Sequence, residues 1–97
     1  MTYDEVIKQT PVVLVEFYAT WCPHCRKMMP VVEQVKELLD GSAAVVQLDI
    51  DDNKNLAHEA EVDVIPTFII YRGGKEQWRH SGEIDGNALL AKIQSYQ

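Results

Sequence analysis

Cysteine and basic residues are scarce in this chain of 97 residues, and each shortage excludes a class of protein. Only two cysteines are present, three positions apart, so they cannot form a scaffold of structural disulfides and must serve local redox chemistry or metal binding. Nine Lys and Arg stand against fifteen Asp and Glu, for a formal charge of −6, without a basic cluster that could follow a phosphate backbone. We therefore expect no nucleic-acid partner, and we assign the acidity to a solvated surface.

Long apolar runs are missing as well. No stretch of the sequence reaches the roughly 20 apolar residues that a transmembrane helix needs. The first five residues have neither the positive region nor the apolar region of a secretory signal. We therefore expect a cytoplasmic protein with no membrane partner. Because 46% of the residues are hydrophobic, the chain suits one compact domain over residues 1–97 with a single core.

The hydrophobic pattern predicts helices and strands in alternation. Thr2 and Glu5 form a capping box that opens a short helix, which docks through Val6 and Ile7. The next predicted elements are a strand at 12–18, a helix at 22–39, a strand at 43–50, a helix at 56–61, strands at 67–71 and 77–81, and a closing helix capped by Asp85. This α-β-α-β-α-β-β-α order predicts an α/β fold with a central four-stranded mixed sheet and helices on both faces.

The two longer predicted helices carry further signals. In the first, Met28 and Met29 are assigned to the core, Pro30 predicts a kink, and Gly41 predicts the C-terminal stop. The inward residues predicted for the closing helix are Ala88, Leu89, Ala91 and Ile93.

The chemistry-bearing segment lies between a buried strand and a long helix and reads Trp21-Cys22-Pro23-His24-Cys25. Two thiols separated by two residues on a first helical turn can close a small disulfide ring. The unpaired N–H groups and the positive dipole end of the helix favour the thiolate of Cys22, and the thiolate is the species that attacks a disulfide. Cys22 is therefore the predicted nucleophile, and Cys25, one turn further in, is the predicted resolving thiol.

Further features make the chain resemble the thioredoxin family along nearly its whole length, apart from the family's usual extra N-terminal strand. They are Phe17-Tyr18-Ala19 leading into Trp21-Cys22, Pro30 after the second cysteine, Ile65-Pro66-Thr67 before the third strand, and Gly82 after the fourth. The resemblance implies the thioredoxin fold and a monomeric protein-disulfide reductase that needs no bound cofactor. It also implies that electrons come from a separate flavoprotein resembling thioredoxin reductase.

A docking surface for the substrate protein also follows from the resemblance. It implies a cis peptide bond between Ile65 and Pro66, which would place Pro66 against the cysteine pair and expose the Ile65 backbone to an extended substrate strand. The implied substrate-binding residues are Trp21, Pro23, Ile65, Pro66 and Gly82.

The sequence departs from the family pattern in three places, one of them a dipeptide. Pro23-His24 replaces the Gly-Pro dipeptide of most members, and Pro-His is the dipeptide of DsbA-like oxidants. Glu16 stands where the family usually has a buried aspartate, and Gln47 stands where it often has a lysine paired with that acid. These changes leave thiol–disulfide chemistry intact, but they leave open a thiol oxidant or isomerase as the alternative to a reductase.

Glu16 and His24 complete the predicted catalytic set. A carboxyl inside an apolar strand should have a raised pKa, so Glu16 could carry the proton of Cys25; the alternative is an acid that reaches the sheet edge and is solvated. A partly protonated His24 beside the cysteines would stabilise the Cys22 thiolate and make the disulfide more oxidising; the alternative is an ordinary surface histidine.

Two interpretations without redox chemistry stay open for the cysteine pair. A structural metal site would need His24, His58 or His80 to complete four ligands, but zinc sites usually use two cysteine pairs, so we predict no metal. A binding module that keeps only the fold usually loses a cysteine, whereas this chain has both. The acidic segment 49–52 lacks the Gly and the closing Glu of a calcium loop, so we predict a solvated strand end there.

Overall fold

A computed structural model of the protein describes residues 2–97, which form eight elements in the predicted order. The elements are α1 (Tyr3–Val6), β1 (Val12–Tyr18), α2 (Pro23–Leu39), β2 (Ala44–Asp49), α3 (Lys54–Glu59), β3 (Thr67–Arg72), β4 (Lys75–Ser81) and α4 (Gly86–Ser95). The bounds of β1 agree with the prediction, and the elements from α2 to β4 differ from theirs by at most two residues at either end. Within residues 2–97 no helix is both long enough and apolar enough to cross a bilayer.

The four strands form one mixed sheet in the order β2-β1-β3-β4. β1 runs parallel to β2 and antiparallel to β3, and β4 pairs antiparallel with β3. Parallel neighbours need a crossover connection, and α2 supplies it between β1 and β2. The predicted mixed sheet is confirmed, and β1 occupies an inner position in it.

Alternate residues of β1 contribute to two apolar clusters on opposite faces of the sheet. Val12 and Leu14 pack with residues of α2 and α4, whereas Val13, Val15 and Phe17 pack with residues of α1 and α3. Since successive strand side chains point to opposite faces, both faces are covered by helices as predicted, which explains the nearly continuous apolar run of β1. By the same alternation, the side chain at position 16 points to the face that α2 covers.

The predicted capping box of α1 is present. The Glu5 N–H donates to Oγ1 of Thr2 over 3.2 Å, and the Thr2 N–H donates to Oε1 of Glu5 over 2.9 Å. Val6 and Ile7 are buried as predicted. The short helix is therefore fixed at its start by capping and along its length by docking on the sheet.

Several side chains of α2 and α4 do not point where the sequence predicted. Met29 is 54% exposed, so its assignment to the core is wrong: it lies beside the buried stripe of α2, which is formed by Cys25, Met28, Val32, Val35 and Leu39. In α4, Leu89 and Ile93 are fully buried at a spacing of four, but Ala88 and Ala91 are exposed, contrary to prediction. Alanine is small and tolerated on either side of a helix, so its position says little about orientation.

The predicted interruptions of α2 also differ in detail. The helix continues through Pro30 to Leu39. Its C-cap is Asp40, with φ 47° in the left-handed region, and Gly41 follows at φ 79°. The stop therefore begins one residue before the predicted glycine.

Candidate active site

Both cysteines lie where β1 leads into α2. Cys22 is the N-cap of α2 with an extended backbone, and Pro23 takes the first helical position, where its fixed φ and missing N–H are tolerated. The N–H of Cys25 donates to Sγ of Cys22 over 3.4 Å. The two residues are free thiols, 5% and 1% exposed respectively. The helix start therefore places the Cys22 sulfur against unpaired backbone donors and keeps Cys25 behind it.

The two thiols ionise unequally. Burial opposes ionisation of Cys22, but hydrogen bonds from the Cys25 thiol and from the N–H groups of Cys25 and His24, with the charge of Arg26, outweigh it and lower the pKa of Cys22. Burial raises the pKa of Cys25 to about 12, assisted by the hydrogen bond to Cys22 and by the charge of Glu16. Cys22 is thus the thiol that becomes a thiolate, which agrees with its predicted role as nucleophile.

The cysteines pack in a small apolar cluster of their own. Its buried members are Ala19, Cys22 and Cys25, and Tyr18, Ile50 and Ile65 pack against them. Ile65, which is forty positions along the chain from Cys25, therefore lies beside the cysteine pair. The contributions of Tyr18 and Ile50 were not predicted, because an apolar residue at a strand end carries no signal of what it covers.

The segment around Pro66 has the backbone that the resemblance implies. The bond between Ile65 and Pro66 is cis, and Pro66 is buried. The N–H of Gly82 donates to the Pro66 carbonyl oxygen over 2.8 Å. Three of the predicted substrate-binding residues are therefore assembled: Ile65 packs against the cysteines, Pro66 follows it, and Gly82 is bonded to Pro66.

Trp21 is 60% exposed immediately before the cysteine pair. Its indole Nε1–H donates to Oδ2 of Asp51 over 2.9 Å, so the ring is held in position although most of the side chain is exposed. Asp51 belongs to the segment predicted as a solvated strand end, and its contact with Trp21 was not predicted. Val64, next to Ile65, is another large exposed apolar residue, at 56%.

Glu16 is 1% exposed, so the alternative of a solvated acid at the sheet edge is excluded. Burial raises the pKa of Glu16 to about 7, and a hydrogen bond from the Gln47 side chain partly counteracts this rise. Gln47 lies opposite Glu16 in the β1–β2 register. The burial and the raised pKa predicted for this carboxyl are confirmed, and its charge acts on Cys25.

The imidazole of His24 pairs with Glu83, a residue of the loop between β4 and α4. Nδ1 of His24 lies 2.5 Å from Oε2 of Glu83, and both side chains are well exposed, at 65% and 41%. The hydrogen bond from His24 lowers the pKa of Glu83. The contribution of His24 to the Cys22 thiolate in this arrangement comes from its backbone N–H, and the sequence carried no signal for Glu83 other than its place after Gly82.

The remaining histidines have separate surroundings. His58 is exposed on α3, whereas the His80 ring stacks on Trp78 and its Nε2 donates to the Glu83 carbonyl oxygen over 3.0 Å. Among residues 2–97, no three His, Cys, Asp or Glu side chains form a group that could hold a metal ion.

Comparison with known proteins identifies the family to which the chain belongs. Residues 1–95 match the family model described as Thioredoxin. The chain is 37% identical over 95 residues to "Thioredoxin Y, chloroplastic" of Oryza sativa subsp. japonica, covering 97% of this chain and 56% of that protein. It is 36% identical over 91 residues to the "Bifunctional thioredoxin reductase/thioredoxin" of Mycobacterium leprae, covering 94% of this chain and 20% of that protein.

A solved structure gives the same result for the fold. A mutant thioredoxin from Halobacterium salinarum superposes with a TM-score of 0.87 at 38% sequence identity, over 96% of this chain and 80% of that one. The chain spans little more than half of the length of the rice protein.

Proposed function

Because this chain belongs to the thioredoxin family, we propose that it is a thiol–disulfide oxidoreductase that reduces disulfide bonds in other proteins. The observation that carries the proposal is the inequality of the two adjacent thiols. The pKa of Cys22 is lowered at the start of α2, and that of Cys25 is raised by burial to about 12. One thiol is therefore ready to attack, and the other stays protonated until the first step has taken place.

In the first step, the Cys22 thiolate attacks one sulfur of the substrate disulfide. A bond forms between Sγ of Cys22 and that sulfur, the substrate S–S bond breaks, and the second substrate sulfur leaves as a thiolate that takes a proton. In the second step, Cys25 loses its proton and attacks Sγ of Cys22. The Cys22–Cys25 disulfide forms, and the remaining substrate sulfur leaves as a thiol. Two electrons and two protons pass from the dithiol to the substrate.

Glu16 is the proposed acceptor of the Cys25 proton. It lies on the α2 side of β1, its charge acts on Cys25, and its pKa of about 7 lets the carboxyl exist in both protonation states near neutral pH. A carboxyl with an ordinary pKa would be ionised but weakly basic, so burial makes Glu16 a better base. The residue therefore has the protonation behaviour that the resolving step needs.

The proposed docking surface surrounds the buried pair. It comprises Trp21, Pro23, Ile65, Pro66 and Gly82, of which Trp21 offers the largest exposed apolar area. An aromatic ring fixed by one hydrogen bond presents contact area with little loss of conformational freedom on binding. We propose that the substrate chain lies across this surface with its disulfide above Cys22.

The proposed electron donor is a flavoprotein of the thioredoxin reductase type. The name of the Mycobacterium leprae relative joins reductase and thioredoxin in one chain, which supports such a pairing here. The proposed setting is a monomer in a reducing compartment such as the cytoplasm, where two free cysteines would be regenerated as a dithiol. The Pro23-His24 dipeptide favours one alternative, a thiol oxidant that runs the same steps in reverse.

An insulin-reduction assay tests the proposed function. With dithiothreitol as electron donor, the reduced protein should catalyse many turnovers, whereas Cys22→Ser and Cys25→Ser should each abolish turnover. Replacing dithiothreitol by NADPH and a thioredoxin reductase then tests the proposed donor. If the protein has two titratable thiols but does not accelerate insulin reduction above the dithiothreitol background, the proposed function is wrong.

A further inference from the structure

We propose that Glu83 tunes the reduction potential of the Cys22–Cys25 pair, because it neutralises His24 and so limits how oxidising the disulfide becomes. The inference rests on the proposed function, since it concerns the potential of that same dithiol. Glu83 is a positioning residue in this account: it acts on the cysteines through His24 and touches neither thiol.

The contact between His24 and Glu83 joins two segments of the chain that meet at the cysteine site. His24 stands between the cysteines in the first turn of α2, and Glu83 directly follows Gly82, whose N–H is bonded to Pro66. With 2.5 Å between Nδ1 and Oε2, the Nδ1–H donates to the carboxylate. The imidazole is thus oriented by a charge on the loop between β4 and α4.

The backbone on either side of Glu83 is also fixed. Its carbonyl oxygen accepts a hydrogen bond from His80, whose ring stacks on Trp78. Two residues further on, Asp85 caps α4 by accepting from the Ala88 N–H over 3.1 Å. These hydrogen bonds hold the backbone that carries the Glu83 side chain, and this helps to keep its carboxylate beside His24.

The sign of the effect follows from the charges. A thiolate exists only in the reduced protein, so a positive charge near Cys22 favours the reduced form and makes the disulfide more oxidising, while a negative charge does the reverse. An imidazolium paired with a carboxylate carries no net charge and has little effect on the thiolate at a distance. Glu83 thus cancels the oxidising influence that His24 would exert alone.

Other charged groups lie nearby, and none replaces Glu83 as the partner of His24. Arg26 acts on Cys22 directly, and Lys27 acts on Glu83 from α2. Asp51 is held by the Trp21 indole. Variants at position 83 therefore change the one charge that is bonded to the imidazole.

Single and double variants test the proposal through the equilibrium of the Cys22–Cys25 pair with glutathione at pH 6.0. Glu83→Gln keeps the shape and should shift the equilibrium threefold to tenfold toward the reduced protein, a tenfold shift being about 30 mV. His24→Gln should shift it in the opposite direction, because Glu83 is then uncompensated. The double variant should return to within about twofold of the wild type.

Two further variants complete the design. Glu83→Lys reverses the charge and should exceed Glu83→Gln in the same direction. Asp4→Asn is the matched control: it removes a carboxylate from an exposed ion pair, with Lys8 at 3.0 Å, at the other end of the sheet from the cysteines, and should change nothing. The pH dependence of alkylation measures the pKa of Cys22. A lower pKa of Cys22 in Glu83→Gln than in the wild type would show that the charge acts on the thiolate.

Several results would overturn the inference while leaving the proposed function intact. The first is that the wild type equilibrates with glutathione but Glu83→Gln has the same equilibrium constant. The second is that both single variants shift the equilibrium in the same direction. The third is that the double variant keeps the shift of one single variant. A wild type that forms no reversible Cys22–Cys25 disulfide would refute the proposed function itself, and the inference with it.

Discussion

The side-chain amide of Gln47 donates a hydrogen bond to Oε1 of the buried Glu16 over 3.0 Å. Because the donor is neutral, it stabilises the ionised carboxyl less than a charged donor would. Burial therefore dominates, and the pKa of Glu16 stays at about 7. The relationship makes this carboxyl a group that titrates in the range where the protein is proposed to work.

Glu16→Gln should slow turnover of insulin disulfides at least about tenfold at pH 7, because it keeps the shape of the side chain but removes the proton acceptor for Cys25. The rate of the wild type should rise between pH 6 and 8 as Glu16 ionises, and the variant should lose the part of that rise that depends on Glu16, while the part that depends on ionisation of Cys22 remains. Identical pH profiles for the two proteins over this range would make Glu16 a bystander.

Stability should also depend on Glu16, with a defined sign. Because the pKa of Glu16 is raised from 4.5 to about 7 by folding, the native state holds this proton more tightly than the unfolded state does, and stability falls as pH rises from 4.5 to 7. The shift corresponds to about 3 kcal/mol. Urea unfolding should show that the free energy of unfolding of the wild type falls by that much more between pH 4.5 and pH 8 than that of Glu16→Gln. Equal decreases in the two proteins would contradict this prediction.

Gln47 should set the pH at which Glu16 works. Gln47→Leu removes a hydrogen bond worth about 1 kcal/mol and should move the midpoint of the pH–rate profile up by about one unit. Gln47→Lys supplies a charged donor and should move the midpoint down. Since Gln47 is exposed on the edge strand β2, both variants should fold. If the midpoints of the two variants moved in the same direction, or if neither moved, Gln47 would not control the pKa of this carboxyl.

Trp21→Ala should weaken turnover of a protein disulfide more than that of a small one. Loss of an exposed aromatic anchor beside the cysteines should reduce kcat/KM for insulin about tenfold, or about 1.4 kcal/mol, and should leave bis(2-hydroxyethyl) disulfide nearly unaffected. Leu38→Ala is the matched control, because Leu38 is 66% exposed on the last turns of α2, far from the cysteines. Equal losses for both disulfides would place Trp21 in the chemistry rather than in docking.

The sequence was most informative where one residue contradicted its local pattern. A single carboxyl in the apolar run of β1 predicted the burial of Glu16, and two thiols at a helix start predicted the unequal cysteines. The contacts Trp21–Asp51 and His24–Glu83 were out of reach, because their partners are thirty and fifty-nine positions apart and charged residues in loops are usually solvated. Met29 was misassigned because a residue next to a buried helix position lies about 100° further around the helix and can face either the core or solvent, and at 54% exposure it faces solvent.

The order of the two thiols is the central claim, and trapping of mixed disulfides tests it most directly. Reduced Cys25→Ser and Cys22→Ser should each be mixed with native, disulfide-bonded insulin and quenched with acid. Mass spectrometry then compares the amount of covalent adduct in the two samples. We predict a stable adduct with Cys25→Ser, because Cys22 still attacks and nothing resolves the bond, and almost none with Cys22→Ser. Equal adduct in the two variants, or more with Cys22→Ser, would contradict the account.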